Sequence, residues 1–85
     1  MTELIVEFNQ AAFKHGISKE DIRFVIENFL YNEVMDGYEE KHLTIGFDTH
    51  ANLLEVVYNV IDERTINVFH AMKCRKVYRR ILWQE

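Results

Sequence analysis

The stretch "LLEVVYNVI", residues 53–61, constrains this chain more than any other. It is β-branched and nearly all apolar, and side chains of that kind are stiff at χ1 and fit a pleated, covered surface better than a helix. Strands buried on both faces read as near-continuous apolar runs, so this one is expected at the centre of a sheet. Polar stretches bound it, "DTHAN" before and "DERT" after, and both read as turns. Upstream, "KHLTIGFD" alternates Leu43, Ile45 and Phe47 with His42, Thr44, Gly46 and Asp48, the pattern of a half-buried strand. Downstream, "INVFHAM" (66–72) supplies another strand. "NEVMDGYEE" holds an Asp36-Gly37 turn signal with a short strand before it. Short connections favour sequential antiparallel pairing.

The flanks carry helical periodicity. Leu4, Ile5, Phe8, Ala11 and Ala12 fall on one helical stripe that ends at "KHG", where Gly16 can adopt a left-handed conformation. "SKED" reads as a capping box, with Ser18 accepting at a new helix start and Asp21 three residues on. Ile22, Val25, Ile26, Phe29 and Leu30 then recur at i, i+3, i+4, i+7 and i+8, an amphipathic helix. At the other end Cys74, Val77, Tyr78, Ile81 and Leu82 share a stripe, on a helix expected to begin near Lys73. The expectation is one α+β domain over residues 1–85. It comprises two N-terminal helices, a three- to four-stranded antiparallel β-meander and a C-terminal helix.

Composition narrows the class. With 48% hydrophobic and 28% charged residues the chain is expected to be a soluble globule. No apolar run approaches the roughly 20 residues that span a bilayer. "MTELIVEFNQ" has acids where a secretion signal has a basic region, so no membrane association is expected. A lone Cys74 cannot staple the fold, and a cytoplasmic location follows as an expectation.

Charge is unevenly placed. Residues 1–72 hold 5 basic and 13 acidic side chains, a balance of −8; residues 73–85 hold 5 basic and 1 acidic, a balance of +4. The basic residues Lys73, Arg75, Lys76, Arg79 and Arg80 lie opposite the apolar stripe of the final helix. The plainest reading is a solvated helix face whose cations also suit a helix C-terminus. A second reading concerns His70 and Lys73, which stand where a strand hands over to a helix. Metal-free RNA cleavage needs a base for the 2′-hydroxyl, cations for the phosphate and an acid for the leaving oxygen. An imidazole can act as base or acid near neutral pH, which makes His70 a candidate for either role. Lys73, Arg75, Arg79 and Arg64 can serve the phosphate, and Tyr58 or Tyr78 can stack a base. Against this, His70 taken alone reads first as a partly buried strand histidine bonded to a backbone carbonyl.

Other motifs say less. His15 reads as a last-turn residue on a helix dipole. His42, Asp48 and His50 share strand parity, but without a cysteine pair or tight ligand spacing no metal site is expected. The three glycines are scattered, so there is no phosphate loop, and Cys74 reads as packing.

"KHGISKEDIRFVI", "KHLTIGFDTHANLLEVVYNVID" and "TINVFHAMKCRKVYRRIL" together resemble the BrnT-type toxins and their small relatives, over roughly residues 8–82. His15-Gly16 and Glu20 match the family's helix-start motif. Ala71 and Lys73 match its strand-to-helix junction, and Arg79 and Arg80 match its paired arginines. The chain departs from that pattern at Met72, where the family has arginine, and at His70, where it has a small hydroxyl residue. Tyr78 replaces a glutamate and Leu82 a tyrosine. The resemblance implies a RelE-like ribonuclease fold, a small antiparallel sheet flanked by helices. It also implies RNA cleavage without metal or other cofactor, and a cognate antitoxin as partner.

Two readings stand. In one, the chain is the toxin of a type II toxin–antitoxin pair, an mRNA endoribonuclease with His70, Lys73 and Arg79 as catalytic residues and Arg64, Arg75, Lys76, Arg80 and Tyr58 binding RNA or a partner. In the other it is a non-catalytic module that docks an acidic partner or nucleic acid through its basic C-terminal helix. An exposed sheet edge and an apolar helix would also permit a homodimer.

Overall fold

The computed structural model describes residues 3–83 apart from Asp36, with the side chains of Tyr38 and Glu39 excluded as well. Its centre is one five-stranded mixed sheet. In chain order the strands are β1 (Ile5–Phe8), β2 (Tyr31–Met35), β3 (Tyr38–Phe47), β4 (Leu53–Val60) and β5 (Thr65–Lys73). They are arranged β1-β5-β4-β3-β2, so the apolar run of residues 53–61 is central as expected. Helix α1 (Lys19–Glu27) lies on one face, and the short helix α2 (Lys76–Leu82) follows β5 on the other.

The α+β class holds, but the expected topology does not: there are not two N-terminal helices, and the sheet is not an all-antiparallel meander. The first apolar segment is a strand that pairs parallel with β5, from Ile5 against Thr65 to Phe8 against Val68. Without it the outer edge of β5 would present unpaired backbone groups. Instead Ile5 N–H donates to the Arg64 carbonyl at 2.6 Å and Asn9 N–H to that of Val68 at 2.8 Å. β-branched Ile5 and Val6 suit this role. The helical stripe therefore dissolves: Val6 and Phe8 pack inward while Leu4 and Ile5 stay exposed. The helical turn that does form is a 3₁₀ turn, Gln10–Phe13, started by Asn9 accepting from Ala11 N–H at 2.9 Å. Gly16, at φ +79°, closes that segment as expected.

Ser18 caps α1, accepting from the Asp21 N–H at 3.2 Å. Ile22, Val25 and Ile26 are buried, whereas Phe29 and Leu30, expected on the same stripe, lie beyond the helix and are exposed. Gly46 explains the close seating of α1: a Cβ there would stand 3.1 Å from the Phe29 Cα, against backbone that cannot give.

Each strand divides its residues between two cores. Leu54 and Val56 of β4, with Ile66, Val68 and Ala71 of β5, meet α1. Leu43, Ile45, Val57 and Cys74 form the second core, joined by Phe69, Tyr78 and Leu82. Cys74 packs as expected, and burial, with the Glu55 charge nearby, pushes its thiol upward and away from reactivity.

Candidate active site

One residue in β4 breaks the apolar run. Glu55 lies between Leu54 and Val56, and the twofold alternation of the strand turns it to the α2 face, where it is 0% exposed. A buried carboxylate is costly unless it is paired and hydrogen-bonded. Here Oε2 accepts from His70 Nε2 at 2.8 Å, from Arg75 Nη2 at 2.7 Å and from Arg75 Nε at 3.1 Å. Oε1 accepts from the Arg75 backbone N–H at 2.9 Å. Burial alone would push the Glu55 carboxyl upward. The Arg75 side chain, then its backbone N–H, then His70 outweigh that and hold it below the usual carboxylate range. Arg75 is held above its ordinary value by the same carboxylate.

An irregularity in β5 brings His70 to this point. Val57 pairs with His70, yet the next residue, Tyr58, pairs with Val68, which leaves Phe69 as an extra residue, a β-bulge. Without the bulge, His70 would share parity with Ile66 and Val68 and face α1. With it, His70 lies on the face of Val57 and Glu55. The expectation of a backbone carbonyl as the partner of His70 is thereby replaced by a carboxylate. Because a carboxylate only accepts, Nε2 carries the proton and Nδ1 of the neutral ring is left as the basic nitrogen. Among the described residues Nδ1 has no hydrogen-bond partner.

Arg75 stands just before α2, its guanidinium 5.2 Å from the centroid of the Tyr78 ring and its side chain 51% exposed. Nε and Nη2 engage Glu55, and among the described residues Nη1 has no acceptor. His70 and Arg75 border a recess of about 340 Å³ with Met35, Lys41, Val57, Phe69 and Tyr78. The Lys41 ammonium sits 5.6 Å from the Phe69 ring centroid. On the far side of His70, His15 meets its ring edge-on at 5.9 Å between centroids. His15 follows the 3₁₀ turn, so it serves that contact rather than the α-helix terminus expected for it.

The other expected site residues are dispersed. Lys73 pairs with Leu54 and so belongs to the opposite face from His70. It ends β5 rather than beginning a helix, and with Arg79, Cys74, Phe47, Asn52 and Trp83 it borders a separate recess of about 410 Å³. Lys76, Arg79 and Arg80 line the outer side of α2. Arg64 precedes β5, and nine strand residues at about 3.3 Å each put it at the other end of the sheet. Tyr58 is on the α1 face, its hydroxyl accepting from Asn32 Nδ2 at 3.1 Å and its ring stacked at 5.1 Å on His42. The structure thus unites His70 with Arg75 and with Glu55, which sequence reasoning passed over. The signal for Glu55 was available: one acid inside a run otherwise suited to burial.

Of the histidines and acids weighed for metal, His42 belongs to the Asn32 network, at 2.9 Å. Asp48 and His50 do approach Asp21, with one ligand atom from each within 4.8 Å of the others. Their atoms are already engaged: Asp48 accepts from His50 N–H and Asn52 N–H, and Asp21 accepts from Thr49 and Ser18. Among the described residues no helix is long and apolar enough to cross a membrane.

A five-stranded mixed sheet with one helix on each face, carrying a histidine and an arginine on a buried carboxylate, defines a small α+β domain with a candidate site on its α2 face. One crystal structure to which the chain is similar is that of the Brucella abortus ribonuclease toxin BrnT. The TM-score is 0.61 at 18% identity, over 89% of this chain and 100% of that one. At that identity the likeness establishes a shared fold, the one the sequence motifs had suggested. No family model matches the sequence, and no curated protein does.

Proposed function

We propose that this chain is the toxin of a type II toxin–antitoxin pair and cleaves mRNA without a metal ion. The observation that carries the reading is the Glu55–His70–Arg75 cluster opening on a recess, set on the fold of a ribonuclease toxin. Glu55 fixes the His70 tautomer, so Nδ1 takes the proton of the 2′-hydroxyl as it attacks the adjacent phosphorus. The outward Nη1 of Arg75 holds a phosphate oxygen as charge develops on it. Phe69 and Tyr78 offer apolar walls for the base. The leaving 5′-oxygen takes its proton from solvent, since His15, edge-on to His70, does not border the recess. Lys73 and Arg79, expected to be catalytic, act outside this recess. A cognate antitoxin is the expected partner.

The alternative, a non-catalytic binding module, draws on a different observation: much of the Arg75 charge is already taken up by Glu55. Induced expression in bacteria separates the two. Growth should arrest, and His70→Ala should relieve the arrest; co-expression of the gene adjacent to the toxin gene should relieve it as well. Undisturbed growth with intact cellular RNA at high expression would sink the toxin reading and leave the binding module.

A further inference from the structure

The cations that the fold keeps away from His70 form an arrangement of their own. Lys76, Arg79, Arg80 and Trp83 follow at i, i+3, i+4 and i+7 and so share one side of α2. Together they line an open recess of about 550 Å³. Trp83 is 63% exposed, the most exposed large apolar side chain among the described residues. Arg79 and Trp83 also border the adjoining recess that Lys73 walls. Among the described residues Lys76, Arg79 and Arg80 make no ion pair. An exposed indole thus shares a recess with three cations that have no ion-pair partner among the described residues.

Three considerations select the occupant. The three cations call for a polyanion, and the −8 balance of residues 1–72 repels one from the rest of the surface. The indole calls for something planar, because an acidic peptide would use the cations and leave the ring face bare, whereas a nucleobase stacks on it. Continuity matters too: Arg75 and Trp83 are eight residues apart, about 12 Å along a helix rising 1.5 Å per residue, so one strand can reach both. We propose that Lys76, Arg79, Arg80 and Trp83 form a platform for single-stranded RNA, with one base stacked on Trp83 and flanking phosphates held by the three cations. The platform is distinct from the site of bond cleavage, and it rests on RNA being the substrate.

Trp83 is the only tryptophan, so its fluorescence reports on this surface alone. The full chain is titrated with 2′-O-methyl oligouridine, which lacks the attacking hydroxyl and separates binding from cleavage. Saturable quenching is expected, with log K falling against log salt at a slope near −2, about −0.7 for each of three cations. With a dye-labelled oligonucleotide read by anisotropy, Trp83→Ala should weaken binding roughly ten-fold. The combined Lys76→Glu, Arg79→Glu and Arg80→Glu change should abolish it while the far-ultraviolet dichroism stays unchanged. Absence of quenching at low salt, or full binding by the triple variant, would overturn the platform. Equal quenching by polyglutamate would reassign the surface to an acidic protein segment. If binding holds and unmodified RNA survives, the nuclease reading fails and the platform stands. If RNA is cut without quenching, the platform alone fails.

Discussion

The two faces of the sheet are cut from the same strands, and they differ in what they bury. Towards α1, Leu54, Val56, Ile66, Val68 and Ala71 meet Ile22, Val25 and Ile26 in an apolar layer. Towards α2, four buried residues make a smaller core, and beside it Glu55 is buried with its charge. Moving one residue along β4, from Val56 to Glu55, exchanges a hydrocarbon for a carboxylate at the same depth. A buried ion cluster is a poor route to stability, since apolar groups of similar volume often do as well or better. The α1 face therefore holds the larger apolar core, and the α2 face, besides its smaller one, holds groups in fixed relation to one another at a recess.

That difference can be broken from either side. The largest effect is expected from Val56→Glu, which places on the α1 face a carboxylate without Arg75 or His70 to meet it. The loss should exceed about 4 kcal/mol, enough to unfold a domain this small, as read by urea denaturation. Next comes Arg75→Ala, which leaves Glu55 buried with His70 as its remaining partner. A loss of about 3 kcal/mol is expected, the low end for a broken buried pair because Arg75 is half exposed. At about 4–8 °C per kcal/mol the fall in Tm is readily measured.

Acid should act on the same cluster. The Glu55 carboxyl is depressed in the folded state because Arg75 and His70 outweigh the effect of burial. Its contribution is therefore present above the ordinary carboxylate pKa of about 4.3, and is lost as pH falls through the lower folded value. Tm should hold from neutrality to about pH 5 and drop below about pH 4. Glu55→Leu should flatten that drop while changing stability at pH 7 by about 1 kcal/mol or less, since His70 and Arg75 can turn to solvent. Smallest of all, Trp83→Ala on the outer side of α2 should leave stability within about 0.5 kcal/mol.

The two faces were not equally legible in the sequence. The α1 face was, because periodicity and capping chemistry are local: "SKED" and Ile22, Val25 and Ile26 announce the helix, and residues 53–61 the central strand. β1 was not, because four residues carry too short a period to separate strand from helix, and what decides is a parallel pairing with β5 some sixty positions away. The α2 face was legible only in part. His70 and Arg75 could be picked out by chemistry, but the strand pattern alone puts His70 on the parity of Ile66 and Val68. The bulge at Phe69 that turns it over is a property of pairing with β4. The sequence pattern groups the C-terminal cations on one helix starting near Lys73. β5 runs through Lys73 and α2 begins at Lys76, which separates Lys73 from the helix and turns Lys76, Arg79 and Arg80 away from His70.

Under the proposed function Glu55 holds His70 and Arg75 where they cut RNA, and the direct measurement is cleavage of unstructured RNA by purified protein in excess chelator. The wild-type chain should cut, His70→Ala should fall by roughly a hundred-fold or more, and Glu55→Leu, though folded, should lose most of its activity. Intact RNA with the wild-type chain, or equal cutting by all three, would contradict the account.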